Sequence, residues 1–184
     1  TARHLAEQVV DMTLVKLGLE HRPSVTAETP VYGGDTGGFT EFKARAKDQF
    51  QGVPPDVAAH LADNYGAAMD EALRLAEEDP ALYARLDDAR PEIAAEVVHA
   101  VRHEMALSLD DVLFRRIGIG ALGRPSEETV ARVTRLMADA LEWNEADQNN
   151  QKEHALMRYQ PSSRVRAVVN PRSSGSHTAE RWPA

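Results

Sequence analysis

The chain has 184 residues, no cysteine, 42% hydrophobic residues and only 5% aromatic ones. A formal net charge of −8 argues against nucleic acid as the main partner, and the absence of cysteine excludes a disulfide framework and a thiolate metal site. A core must be built from Leu, Val, Ala and Met, a palette suited to helices, and no run approaches the roughly 20 apolar residues of a membrane-spanning helix.

Residues 2–17 read as a helix ended by Gly18, the residue type favoured just past a helix C-terminus. Leu5, Val9 and Met12 share one side, Val10 and Leu17 widen the arc, and Leu14 and Val15 fall outside it. Such a helix wants cover on more than one side. From His21 to Phe39 the chain holds Pro23, Pro30 and four glycines (Gly33, Gly34, Gly37, Gly38), which predicts a linker and a domain boundary. Thr40 is expected to cap a helix to about Phe50. Pro54 and Pro55 open another through Val57 and Leu61 to Tyr65, where Gly66 breaks it. A further helix carries Met69, Leu73 and Ala76 before Pro80. Pro91 suits the first turn of a long helix with Ile93, Val97, Val101 and Met105 on one side.

Ser108-Leu109-Asp110-Asp111 reads as a capping-box-like helix start, with Asp for the usual second acid. Ser126 caps the next helix, whose Val130, Val133, Met137 and Leu141 form an apolar stripe. Asn144 caps a last, polar helix to about Tyr159. From Pro161 onward four of the 21 basic residues stand against one of the 29 acidic ones, giving +3 there and −11 for residues 1–160. Rich in Ser, Pro and Gly, residues 161–184 are expected to form a basic flexible tail, a solvated terminus or a contact for an acidic surface or anionic lipid. No alternation of polar and apolar residues predicts a strand. The expected fold is all-α: a helix over 1–18, a linker over 19–39, and a multi-helix orthogonal or antiparallel bundle over 40–160.

Three constellations could carry chemistry. His99 and His103 stand at i and i+4, the spacing of helical zinc ligands, but on the side opposite the apolar stripe and without the His-Glu-x-x-His order. A metal-free, solvated or surface-packed pair is expected. The run Gly33-Gly34-Asp35-Thr36-Gly37-Gly38 lacks both the Lys-Ser/Thr ending of a P-loop and G-x-G-x-x-G spacing, and reads as flexible linker. Arg116 and Asp110 project inside the apolar arc of their helix, so each is expected to be buried and paired, as a lock between helices or a ligand contact. No serine sits in a nucleophile elbow, and no carboxylate pair is framed by an apolar pocket pattern.

These stretches together resemble the C-terminal region of the FAD-dependent (aerobic) glycerol-3-phosphate dehydrogenases and glycerophosphate oxidases. The run from Arg102-His103-Glu104-Met105-Ala106 through Ser108-Leu109-Asp110-Asp111-Val112-Leu113 to Arg115-Arg116 is similar to that family's R-x-E-M-A signature and the Thr/Ser-Leu-x-Asp-Val-Leu-x-Arg-Arg run after it. Glu92-Ile93 and Tyr65-Gly66 match further points. Met137-Ala138 with Leu141-Glu142-Trp143 resembles M-A-x-x-L-G-W, with Glu142 for the usual Gly. Thr1-Ala2-Arg3-His4-Leu5-Ala6-Glu7 looks like the end of the motif G-G-K-x-T-T-Y-R-x-M-A-E that closes the flavin-binding domain, with Ala2 for Tyr and Leu5 for Met. Thr29-Pro30 with Gly33-Gly34 is similar to the connection that follows.

The resemblance covers about residues 1–158. It implies an enzyme that oxidises sn-glycerol 3-phosphate to dihydroxyacetone phosphate through FAD, with a quinone or oxygen as acceptor. It implies a cytoplasmic location, or one on the inner membrane face. The chain begins without Met inside a helix-like pattern, as an excised fragment would, and its partners would be the FAD and substrate domains of the same enzyme or a second copy. Thr1 is the one candidate cofactor contact; no catalytic residue carries over, and the fragment alone is expected to be inactive. A free-standing helical adaptor is the competing reading, and a metal-binding bundle resting on His99 and His103 is a third.

Overall fold

A computed structural model describes residues 1–50 and 52–160; the expected basic tail lies outside the described residues. Apart from an isolated bridge between Arg85 and Ile93, the regular structure among the described residues is helical, as expected. The chain divides into two compact units, Thr1–Arg74 and the residues from Leu75 onward.

In the first unit, α1 (Ala2–Leu17) starts at Thr1, whose hydroxyl accepts the His4 N–H. It stops at Gly18, held at φ 64, and the Leu19 N–H returns to the Leu14 carbonyl at 2.9 Å. This Schellman-type ending needs a left-handed residue, which explains the glycine. No residue of α1 is buried. The second helix, α2 (Phe39–Gln49), is preceded by Gly38 in the capping position, two residues ahead of the Thr40 cap expected. Phe39 stacks on Phe42, three residues on, and that contact draws Phe39 into the first turn.

Pro55 occupies the first turn of α3 (Pro55–Tyr65), which packs on α2. A one-turn 3₁₀ segment from Gly66 then leads into α4 (Met69–Glu78). The glycine-rich stretch is fixed on this break: the Ala67 N–H donates to the Gly33 carbonyl at 2.9 Å, and the Tyr32 hydroxyl donates to Glu71 at 2.6 Å. Gly33 and Gly66 both have positive φ, and a Cβ on either would overlap a carbonyl oxygen of the other segment. Two backbones touch here, and only glycines let them.

The second unit is built around α5 (Ala94–His103), α6 (Glu127–Leu141) and α7 (Glu145–Met157), with a short π-wound segment at Asp111–Arg116. Val97 and Ala100 of α5 share one buried cluster with Leu109 and Leu113 before and within the π-wound segment, Val133 and Met137 of α6, and Ala155 of α7. Ser126 caps α6 by accepting the Thr129 N–H. Asn144 and Asp147 exchange side-chain-to-backbone bonds at the start of α7, as a capping box does.

Helix α5 differs from expectation at both ends. It begins at Ala94 because the preceding loop folds back on itself: Leu86 N–H donates to Glu92 O, Ala94 N–H donates to Ala84 O, and the buried Glu96 carboxylate accepts the Ile93 N–H at 2.8 Å. It ends at His103, and Met105 leaves the expected stripe altogether at φ 58.

Candidate functional site

Thr1 stands where the sequence placed it, at the N-terminus of α1, with Arg3 and no acidic residue in the first turn. Among the described residues nothing converges on it.

His99 is fully buried, against the surface position expected of it, because the 80–83 turn, α6 and the π-wound segment pack around α5 and leave it no open face. Its ring lies 5.0 Å from that of His103, and its Nε2 lies 4.0 Å from a Glu104 carboxylate oxygen. Among the described residues no group of three or more His, Cys, Asp or Glu side chains is arranged to hold a metal ion.

Asp110 and Arg116 part company. The Asp110 side chain is buried, and Arg158 at the end of α7 pairs with it at 2.9 Å. Arg158 also lies over the Phe114 ring, 4.5 Å from its centroid, while the Tyr159 hydroxyl donates to the Gly120 carbonyl at 2.7 Å. Arg116 is not buried. Its side chain is 40% exposed, donates to the Glu104 carbonyl at 2.6 Å and lies 3.8 Å from the Glu104 carboxylate. The π winding explains the error. The Ile117 N–H bonds to the carbonyl five residues back, so each residue advances by less than the rotation assumed for an α-helix, and the arc drifts.

Asp111 is the carboxylate with the most partners in this region. It accepts from the Ser108 hydroxyl at 2.7 Å and from the N–H groups of Ser108 and Leu107, and it pairs with Arg115. Burial pushes its pKa up, but the hydrogen bonds from Ser108 and Arg115 and from the two amides outweigh that and hold it below the usual carboxylate value. The Ser108–Asp111 cap was legible in the sequence; Arg158, Tyr159 and Gly120 were not, since their meeting depends on how α7 returns. A Cβ on Gly120 would press on the Tyr159 hydroxyl and the Phe114 ring, so the glycine is there for packing.

The charged residues of the 102–116 stretch therefore fix the joint between α5, the π-wound segment and α7. Among the described residues they form no group of three or more metal-ligating side chains.

Residues 24–148 match the family described as the C-terminal domain of alpha-glycerophosphate oxidase. Glycerol-3-phosphate dehydrogenase 2 of Mycobacterium tuberculosis is 28% identical over 149 residues, which is 80% of this chain and 25% of that protein. The aerobic glycerol-3-phosphate dehydrogenase of Staphylococcus aureus is 32% identical over 125 residues, 63% of this chain and 22% of that protein. The chain thus spans about a quarter of the length of the relatives it matches. No solved structure matches.

Proposed function

This chain belongs to the family of the C-terminal domain of alpha-glycerophosphate oxidase, and on that premise we propose that it serves as the helical C-terminal domain of a flavoenzyme oxidising sn-glycerol 3-phosphate to dihydroxyacetone phosphate. The observation that carries this reading is the family match over residues 24–148, joined to relatives named as glycerol-3-phosphate dehydrogenases. A free-standing adaptor is not favoured by these matches.

In this reading residues 1–18 are the last helix of the flavin-binding part, residues 19–39 the connection, and 40–160 the helical domain. Thr1 faces the cofactor. What supports it is α1 itself: Leu5, Val9, Met12 and Val15 are all more than half exposed, as a helix lacking its cover would be.

The described residues do not by themselves fit an FAD site. They contain no strand leading through a glycine-rich turn into a helix, the element that holds a dinucleotide. Gly33 is instead spent on the contact with Gly66. No step of the oxidation is assigned to a residue of this chain. Its role is to cover or hold the catalytic part, with a quinone or oxygen taking the electrons. The proposed location is the cytoplasm or the inner membrane face; no described helix is long and apolar enough to cross a membrane.

The test is a titration of the purified chain with FAD, followed by an assay with glycerol 3-phosphate and an artificial acceptor. Neither tight flavin binding nor turnover is expected. Micromolar binding with turnover would instead make the chain an enzyme in its own right.

A further inference from the structure

The proline- and glycine-rich connection between α1 and α2 is tied down from both sides. Behind Gly18 the Leu19 N–H returns to the Leu14 carbonyl at 2.9 Å, and His21 Nε2 lies 3.2 Å from an Asp11 carboxylate oxygen. Residues 22–26 then run back beside α1, where they share the walls of one hollow with Ala6, Glu7 and Val10. The N–H groups of Glu28 and Thr29 both bond to the Val25 carbonyl at 3.0 Å, which closes a turn. Residues 21–28 therefore belong with α1.

Beyond Pro30 the chain is held by other helices instead. The Gly34 N–H donates to the Val31 carbonyl at 2.7 Å and the Thr36 N–H to the Gly34 carbonyl at 2.9 Å. These turns lay Gly33 on Gly66. A Cβ on Gly33 would stand 2.2 Å from the Tyr65 carbonyl oxygen, and one on Gly66 would stand 2.1 Å from the Gly33 carbonyl oxygen. The Ala67 N–H on the Gly33 carbonyl and the Tyr32 hydroxyl on Glu71 complete the clasp. Thr29 and Pro30 alone join the two halves. Proline fixes its own φ and biases the residue before it toward extended backbone, so little rotation is left there. Among the described residues no other helix lies against α1, so the connection alone sets its direction.

We propose that this connection is a bracket rather than a slack tether. It points α1 in one direction relative to α2 and α3, with any bend confined to Thr29–Pro30 and with the Gly33–Gly66 clasp as its fixed end. A tether of random coil needs no backbone-to-backbone fit. Here two glycines at φ 74 and 53, conformations that side chains disfavour, are matched to each other across 33 positions of sequence. The bracket also spans the start of the family match at residue 24, with its clasp inside the match and α1 outside it. Where α1 is the last helix of the flavin-binding part, a role that rests on the function proposed above, the bracket fixes how the helical domain is presented to that part.

Because the chain has no cysteine, spin labels on Gln8→Cys in α1 and Ala44→Cys in α2 are unique in the full chain, and pulsed dipolar spectroscopy reads the spread of distances between them. The labelled parent should give one narrow distribution. Pro30→Gly frees the joint, and Gly33→Ala forces the clasp apart because its Cβ meets a backbone carbonyl at positive φ. Each should at least about double the width, with helical content by circular dichroism unchanged. Pro30→Gly touches no clasp residue, so it serves even where Gly33→Ala disturbs folding. A parent distribution already as broad as that of Pro30→Gly overturns the bracket. So does a width unchanged in Gly33→Ala when the Ala67 amide exchanges at least about tenfold faster, the sign that the clasp has opened. Neither readout involves flavin, so either outcome stands apart from the titration of the chain with FAD.

Discussion

Asp111 collects the Ser108 hydroxyl, two backbone N–H groups and the Arg115 guanidinium, and so fixes the turn that opens the π-wound segment. Its pKa is held below the ordinary value, so its contribution to stability is present above the unfolded carboxylate pKa of about 3.9 and is lost as pH falls through the lower folded value. Asp111→Ala should cost about 1 kcal/mol at neutral pH, as loss of a helix cap does. In urea titrations the gap between parent and variant should close below about pH 4; a gap independent of pH would mean that the carboxylate charge is not what matters.

The pair at Asp110 follows different arithmetic. Asp110 is buried and Arg158 half exposed, so Arg158→Ala takes away the 2.9 Å partner of a buried carboxylate and leaves it His154 at 4.0 Å. That variant should lose about 3 kcal/mol. Arg116→Ala breaks an exposed pairing with Glu104 and a bond to the Glu104 carbonyl, and should lose about 1 kcal/mol. Equal losses in thermal denaturation would show that burial does not set the difference. At the residue scale the sequence identified both charges but misplaced Arg116, because the projection assumed an α-helix where the chain is π-wound.

Helix ends were the most legible elements. Gly18, Ser126 and Asn144 each satisfy a helix terminus with groups a few residues away, and such local chemistry can be read from one sequence. The start of α5 was not legible. It depends on the pairing of Leu86 with Glu92 and of Ala84 with Ala94, contacts that no spacing rule predicts. Burial of His99 likewise depends on three neighbours closing around α5.

The end of α6 carries a signal that only sequence and structure together explain. Glu142, which stands where the resembled family has glycine, lies at φ 57 and ψ 37, the left-handed cap conformation. Glycine adopts it without a Cβ penalty, so Glu142→Gly should raise stability by roughly 0.5–1 kcal/mol. Thermal denaturation tests this directly: a lower melting temperature for Glu142→Gly would mean that the Glu142 side chain contributes more than its backbone costs.

Across the whole molecule, the second unit buries a continuous core, whereas α1 buries none of its residues. An isolated helix of this length is marginal in water, and most helices draw their stability from packing. The proposal that α1 packs on a further part of an enzyme rests on these bare apolar sides, and the chain spans about a quarter of the relatives it matches. Fold class and family were legible because periodic stripes, caps and one long motif survive in a single sequence. The left-handed Met105 was not, since that conformation exists only once α5 has ended early.

A chimaera tests this most directly: the chain replaces the C-terminal quarter of the staphylococcal relative, and FAD content and glycerol 3-phosphate-dependent reduction of a dye are measured beside the truncated relative alone. The account predicts a soluble, flavin-loaded chimaera whose turnover clearly exceeds that of the truncated control. A folded, flavin-loaded chimaera no more active than that control would contradict it.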